Sequence, residues 1–147
     1  MTGTGVTVAL VGAAALILAG CGGGRLSHGD FVARADAVCS SYDAKVVLLS
    51  RPKTYDDVVA YVARTLPLYV AALDKLDALD PPTADEAAVK RWLAADRKVE
   101  AALRSLRDAA MRHDPAATND ASEKVQAASL ASGRAAAALG LKVCSAP

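Results

Sequence analysis

The segment TADEAAVKRWLAADRKVEAALRSLRDAAMRH, residues 83–113, decides the fold. Its apolar residues recur every three or four positions, a spacing that places them on one face of an α-helix. They are Ala88, Trp92, Ala95, Val99, Leu103, Leu106 and Ala110. Thr83 and Glu86 fit a capping box, in which two side chains satisfy backbone N–H groups at the helix start. The segment therefore predicts a helix that begins near Thr83 and ends near His113.

Two more helices are predicted before this segment. The first covers residues 30–50 and the second residues 55–79, with Thr54 as the N-cap of the second. Pro67 removes one backbone hydrogen bond inside the second helix, at a cost of about 3 kcal/mol. Because the apolar spacing keeps its phase across Pro67, we expect one kinked helix and not two separate ones.

A fourth helix is predicted from Asp114-Pro115 to Gly140, where proline suits the first helical position and glycine the C-terminal one. Aromatic residues make up only 4% of the chain and alanine is abundant, which favours helix over sheet. The connections are short, so consecutive helices must be antiparallel. We predict an all-α domain, an up-and-down four-helix bundle, over residues 29–147.

The N-terminus has the features of an export signal. Residues 6–19 form an uncharged apolar run, shorter than the roughly 20 residues that span a bilayer and typical of a signal peptide. The run ends in Leu18-Ala19-Gly20-Cys21, which resembles the bacterial lipobox. The resemblance implies that the Cys21 thiol receives a diacylglyceryl group and that signal peptidase II cuts before it. One feature departs from the pattern, because residues 1–5 contain no Lys or Arg.

These features predict the domain organisation and the location of the chain. Residues 1–20 are a lipoprotein signal peptide, residues 21–28 are the lipidated cysteine and a glycine-rich tether, and residues 29–147 are the helical domain. We expect a lipid-anchored protein on the extracytoplasmic face of the cell membrane, whose partner there is membrane lipid through acylated Cys21. An uncleaved anchor, or a free Cys21 after an ordinary signal peptide, would also place the domain outside the cytoplasm.

Two cysteines remain if Cys21 is lipidated. Cys39 lies in the first predicted helix and Cys144 follows the fourth, and an even pair in an oxidising compartment favours a disulfide. The alternative is a pair of buried thiols. A redox-active pair is disfavoured because the chain has no C-x-x-C motif.

Several short motifs resemble those of small secreted or lipid-anchored helical proteins of actinobacteria. They are Ala35-Asp36-Ala37-Val38-Cys39, Asp80-Pro81-Pro82, Arg91-Trp92-Leu93 and Leu139-Gly140-Leu141-Lys142-Val143-Cys144. The resemblance would cover most of the mature chain, and it supports the Cys39–Cys144 pairing. It implies no activity.

No residue pattern points to catalysis, a metal or a cofactor. His28 and His113 are the only histidines, one in the tether and one at a helix end, and no His-x-x-x-His or Glu-x-x-His spacing occurs. Nucleophile-elbow, P-loop and dinucleotide-binding motifs do not occur either. The net charge of +1 argues against nucleic acid. We therefore expect a protein that is not an enzyme and holds no metal or cofactor.

The third predicted helix carries a basic face that is a possible surface contact, formed by Arg91, Arg97, Lys98, Arg104 and Arg107. It either binds anionic lipid or wall polymer or is simply solvated. We favour the solvated face, because Glu86–Lys90, Glu100–Arg104 and Asp108–Arg112 are spaced to form ion pairs.

The aromatic residues leave a second choice open. Trp92, Tyr55, Tyr61 and Tyr69 either line a ligand pocket or pack in the core, and we favour the core because alanine-rich helices pack tightly.

The sequence thus predicts a non-catalytic envelope interaction module that contacts an envelope protein or wall polymer. The alternative is a carrier or sensor that binds a small apolar or lipid ligand between helices opened at Pro67.

Overall fold

The computed structural model describes residues 24–146, and these residues form a four-helix bundle. The helices are α1 (His28–Val46), α2 (Tyr55–Asp77), α3 (Glu86–Met111) and α4 (Pro115–Ala138). No strand occurs within this part of the chain. The prediction of an all-α, up-and-down four-helix bundle is confirmed. The predicted signal peptide and Cys21 lie outside the described residues.

Side chains fix the start of three helices. Ser27 Oγ accepts the N–H of Asp30 at 3.1 Å at the start of α1. Thr54 and Asp57 form a complete capping box on α2, and Asp114 accepts the N–H of Ala117 at 3.0 Å on α4. Each bond satisfies one of the backbone donors that a helix start leaves without an internal partner.

The capping box predicted for α3 is wrong. Residues 83–85 form a turn, α3 begins at Glu86, and its N-cap residue Asp85 makes no side-chain cap hydrogen bond. The carboxylates of this connection are engaged elsewhere, since Asp85 pairs with His28 and Glu86 with Arg25. Long-range contacts with a histidine and an arginine therefore replace the local pattern.

Two further predictions about the helices agree with the structure, and one does not. α2 runs without interruption through Pro67, so the prediction of a single helix is confirmed. Gly140 has φ +80°, the left-handed conformation expected of the residue that ends α4. The first helix was predicted to reach residue 50, but α1 ends at Val46 and the chain turns at residues 47–49.

One cluster of buried side chains lies at one end of the bundle. Trp92 is 1% exposed and packs in one cluster with side chains from α1, α4 and residues 139–146, which we call the tail. The cluster consists of Phe31, Ala35, Leu76, Val89, Trp92, Leu93, Ala136, Leu139 and Leu141. We call this end the tail end; it also holds the start of α1 and the α2–α3 connection. The α1–α2 and α3–α4 connections form the far end.

Consecutive helices pack against each other, but the bundle is closed by the tail. α1 contacts α2, α2 contacts α3, and α3 contacts α4. No Cα atom of α1 lies within 8 Å of one in α4. Leu141, 2% exposed, lies in the same buried cluster as Phe31 and Ala35 of α1. The tail is therefore the part of the chain that joins the first helix to the last.

Candidate functional site

The tail is bonded to α1 by a carboxylate and by a disulfide. Asp36 Oδ2 accepts the N–H of Lys142 at 3.0 Å, and Asp36 Oδ1 accepts the N–H groups of Val143 at 2.9 Å and Cys144 at 3.1 Å. Cys39 and Cys144 are disulfide-bonded with their Cα atoms 5.3 Å apart. The predicted pairing is confirmed, and Asp36 is a hydrogen-bond partner of the tail that the sequence analysis did not identify.

The residues before α1 dock on the α2–α3 connection. The Leu26 N–H donates to the Asp80 carbonyl at 2.9 Å, and the Arg25 guanidinium donates to the Pro81 carbonyl at 3.2 Å and pairs with Glu86. Both Arg25 and Leu26 belong to the predicted tether. Because they are bonded to the bundle, the structure fixes the point at which the chain enters it, at the tail end.

The two histidines occupy opposite ends of the bundle. His28, predicted as part of the tether, is the first residue of α1, and its Nδ1 lies 2.7 Å from an oxygen of Asp85. His113 has φ 53° at the end of α3, and its Nε2 lies 3.4 Å from Asp56. Within residues 24–146 no group of three His, Cys, Asp or Glu side chains could hold a metal ion.

The basic face of α3 is partly neutralised. Three of its five cations form ion pairs, whereas Arg91 and Lys98 are exposed and have no ion pair within the described part of the chain. The pairs are Arg97–Asp77 at 3.1 Å, Arg104–Glu100 at 2.7 Å and Arg107–Asp108 at 2.9 Å. Of the predicted helical pairs only Glu100–Arg104 forms, because Glu86 and Asp108 pair with other arginines.

A buried carboxylate that the sequence analysis missed joins three helices. Asp96 of α3 is 8% exposed, and its Oδ1 accepts hydrogen bonds from Tyr69 of α2 at 2.8 Å and from Ser132 of α4 at 2.5 Å. Tyr42 of α1 packs edge to face on Tyr69, with ring centroids 5.5 Å apart. Asp96 is therefore bonded to side chains of α2 and α4, and α1 packs on this cluster through the Tyr42 ring.

Burial governs the titration of this cluster. It raises the pKa of Asp96 above the ordinary aspartate value, against the hydrogen bonds from Ser132 and Tyr69, which lower it. Burial also raises the pKa of Tyr69, and it raises that of Tyr42 to about 12. Both phenols are protonated at neutral pH, so Tyr69 remains a hydrogen-bond donor to Asp96.

The aromatic side chains divide between core and surface. Trp92 lies in the core as predicted, with its indole N–H lacking a hydrogen-bond partner, and Tyr69 lies in the Asp96 cluster. Tyr55 packs on His113 with ring centroids 5.4 Å apart. Tyr61 lines a pocket of about 350 Å³ at the α1–α2 connection.

The space between α1 and α2 is small. A groove there has a volume of about 30 Å³ and is lined by side chains including Val38, Tyr42 and Leu68. A water molecule needs roughly 10–15 Å³ on this scale, so the groove holds one or two waters and no lipid-sized ligand. The pocket of about 350 Å³ is larger, but its lining includes Arg51, Lys53 and Arg64.

Comparisons with other proteins identify no family or relative. No family model, curated protein or solved structure matches this chain. Among the helices that the structure describes, none is long and apolar enough to cross a membrane.

Proposed function

We propose that the chain is an extracytoplasmic lipoprotein, anchored to the cell membrane through acylated Cys21, that acts without catalysis as an interaction module of the envelope. The signal-like residues 6–19 and the Leu18-Ala19-Gly20-Cys21 motif support the anchor. The disulfide supports export, since disulfides persist in oxidising compartments.

One observation carries the proposal of an interaction module. Val47 and Leu48 are 78% and 81% exposed at the far end, while the chain enters the bundle at the tail end. A protein anchored before Arg25 would present these apolar side chains about 28 Å from the point at which the chain enters the bundle, the length of the 19-residue α1. Adjacent exposed apolar side chains are costly in water, which favours a binding role.

Two carboxylates that are already bonded within the chain support a module without catalysis. Asp36 and Asp96 are engaged by donors of the chain itself, three backbone N–H groups in one case and two hydroxyls in the other. They hold helices and tail together. The carrier alternative has less support, because the groove between α1 and α2 has a volume of only about 30 Å³.

Mass spectrometry of the mature protein tests the anchor. We expect an N-terminal Cys21 that carries acyl chains, and we expect Cys21→Ser to release the protein from the membrane fraction. Cys144→Ser is the control, since it removes a cysteine near the other end of the chain, half of the disulfide, without touching the lipobox. An unmodified Cys21 in membrane-bound wild-type protein would contradict the proposed anchor.

A further inference from the structure

We propose that the α1–α2 connection, residues 47–54, together with Arg64 forms a contact site for anionic phospholipid. Its cations bind the phosphate of the headgroup, and Val47 and Leu48 enter the bilayer. This inference deepens the proposed function by naming the chemistry of a partner, and so it rests on that function.

The apolar part of the site is a pair of adjacent side chains at a turn. Val46 and Leu49 are half-buried against the bundle, whereas Val47 and Leu48 between them point into solvent. The other large apolar side chains exposed within residues 24–146, Met111 and Leu130, have no large exposed apolar neighbour in sequence. Single exposed residues are common on protein surfaces, but a pair at the tip of a turn is suited to insertion into a bilayer.

Cations flank this pair and are free to bind an anion. Lys45, Arg51 and Lys53 surround it in sequence, and residues 44–55 contain no Asp or Glu. Together with Arg64, these cations form no ion pair within the residues that the structure describes. The basic face of α3 differs, because most of its arginines are already paired. Positive charge beside an exposed apolar tip matches an anionic lipid surface.

A pocket beside the turn gives the phosphate a place to bind. Its volume is about 350 Å³, and Arg51, Lys53 and Arg64 line it with the hydroxyl-bearing residues Ser50 and Tyr61. The one acidic residue in the lining, Asp57, accepts the N–H groups of Lys53 at 3.1 Å and Thr54 at 3.0 Å. Its carboxylate is thereby held in the helix cap. Guanidinium groups and hydroxyls are the donors that bind phosphate oxygens.

Contact at this site would orient the domain. The chain enters the bundle at the tail end, and α1 separates that point from the turn by about 28 Å. Attachment through the N-terminus and through the turn would lay α1 along one membrane. If the turn instead contacted a second membrane that faces the first, the domain would bridge the two membranes.

The test uses the full chain in nanodiscs and measures oxidation of Leu48 by hydroxyl radicals, with Leu130 of α4 as the internal reference. Four conditions are compared: anionic phosphatidylglycerol nanodiscs, zwitterionic phosphatidylcholine nanodiscs, the zwitterionic nanodiscs with added phosphatidylglycerol vesicles, and the zwitterionic nanodiscs with inorganic phosphate. We expect protection of Leu48 with phosphatidylglycerol, in the nanodisc or in the added vesicles, and none in the other two conditions. Leu130 should be oxidised equally in all four.

Charge variants test the cations. Each cation near an anionic surface contributes about 1 kcal/mol, a factor between five and six in affinity, so Arg51→Gln with Lys53→Gln should raise the vesicle concentration for half-protection about thirtyfold. Arg97→Gln with Arg104→Gln removes the same charge from the basic face of α3. This control should leave the vesicle concentration for half-protection of Leu48 unchanged.

Three results would overturn the inference: no protection of Leu48 by phosphatidylglycerol in either form, protection by inorganic phosphate alone, or loss of protection only in the α3 variant. The mass of Cys21 is measured on the same samples. An unacylated Cys21 with a protected Leu48 would refute the proposed anchor and retain the lipid site.

Discussion

Replacing Cys144 by Ser separates the two attachments of the tail. The disulfide closes a chain segment with a sequence separation of 105 residues, whereas the Asp36 carboxylate binds the same part of the tail without constraining the unfolded chain. Loss of the disulfide should therefore lower the free energy of unfolding and leave the tail docked.

The size of the effect follows from the length of the closed segment. For a sequence separation of 105 the chain-entropy relation gives about 4.8 kcal/mol at 25 °C, near the upper end of the expected loss. We expect Cys144→Ser to lower the free energy of unfolding by about 2–5 kcal/mol. Hydrogen bonds to a charged group contribute about 1.5–3 kcal/mol each when well formed, so three of them at Asp36 are enough to keep the tail in place.

Two measurements check this prediction. Denaturant unfolding, followed by the fluorescence of Trp92, the only tryptophan, gives the loss of stability. Hydrogen exchange of the Lys142 and Val143 amides reports on docking of the tail. These amides should stay protected in Cys144→Ser and lose protection when Asp36→Ala is added. Asp43→Ala is the control, since it removes an exposed carboxylate of the same helix.

Fast exchange of the Lys142 and Val143 amides in Cys144→Ser alone would refute the reasoning. It would mean that the carboxylate cannot hold the tail and that the disulfide is the only closure of the bundle. An unfolding free energy unchanged by Cys144→Ser would refute the chain-entropy magnitude separately.

Two further substitutions probe the centre of the bundle and the tail. Since burial raises the pKa of Asp96 in the folded state, the folded chain binds its proton more tightly than the unfolded one, and stability from this group falls as pH rises from about 4, the ordinary aspartate value. Relative to Asp96→Asn, wild-type stability measured by denaturant unfolding should therefore fall as the pH rises above about 4; parallel pH profiles would contradict this. Gly133→Ala should gain about 0.5 kcal/mol, less than the roughly 1 kcal/mol of helix propensity, because a Cβ there would lie 3.2 Å from the Ser145 carbonyl and displace the end of the tail slightly. A loss of stability would show that the tail cannot move.

The helices and most of their caps could be predicted because they depend on residues that are close together in the sequence. The apolar spacing of α3, the Thr54–Asp57 cap and the left-handed Gly140 depend on residues within four positions of one another. The predicted cap at Thr83 failed for the opposite reason. Arg25 and His28, more than 50 residues away, engage the carboxylates of Glu86 and Asp85, and no local pattern contains that information.

The hydrogen bonds of Asp36 and Asp96 were harder to predict, because these carboxylates bind groups that are far away in the sequence. Asp96 did leave a signal, since it lies in phase with the buried residues Val89, Trp92 and Val99, where an acidic side chain must find partners. Asp36 left none. Its partners are backbone N–H groups 106 to 108 positions later, and backbone groups have no identity in the sequence.

The two ends of the bundle differ in how many of their side chains are bonded or buried within the chain itself. At the tail end the disulfide, the Asp36 hydrogen bonds and the apolar cluster around Trp92 bind all four helices and the tail together. At the far end α1 stops short of its apolar run, and Val47 and Leu48 remain in solvent beside cations that form no ion pair among the described residues. Stability and recognition compete for the same side chains, because an apolar group buried in the core cannot bind a partner. A bundle closed firmly at one end can leave such groups exposed at the other without losing its fold.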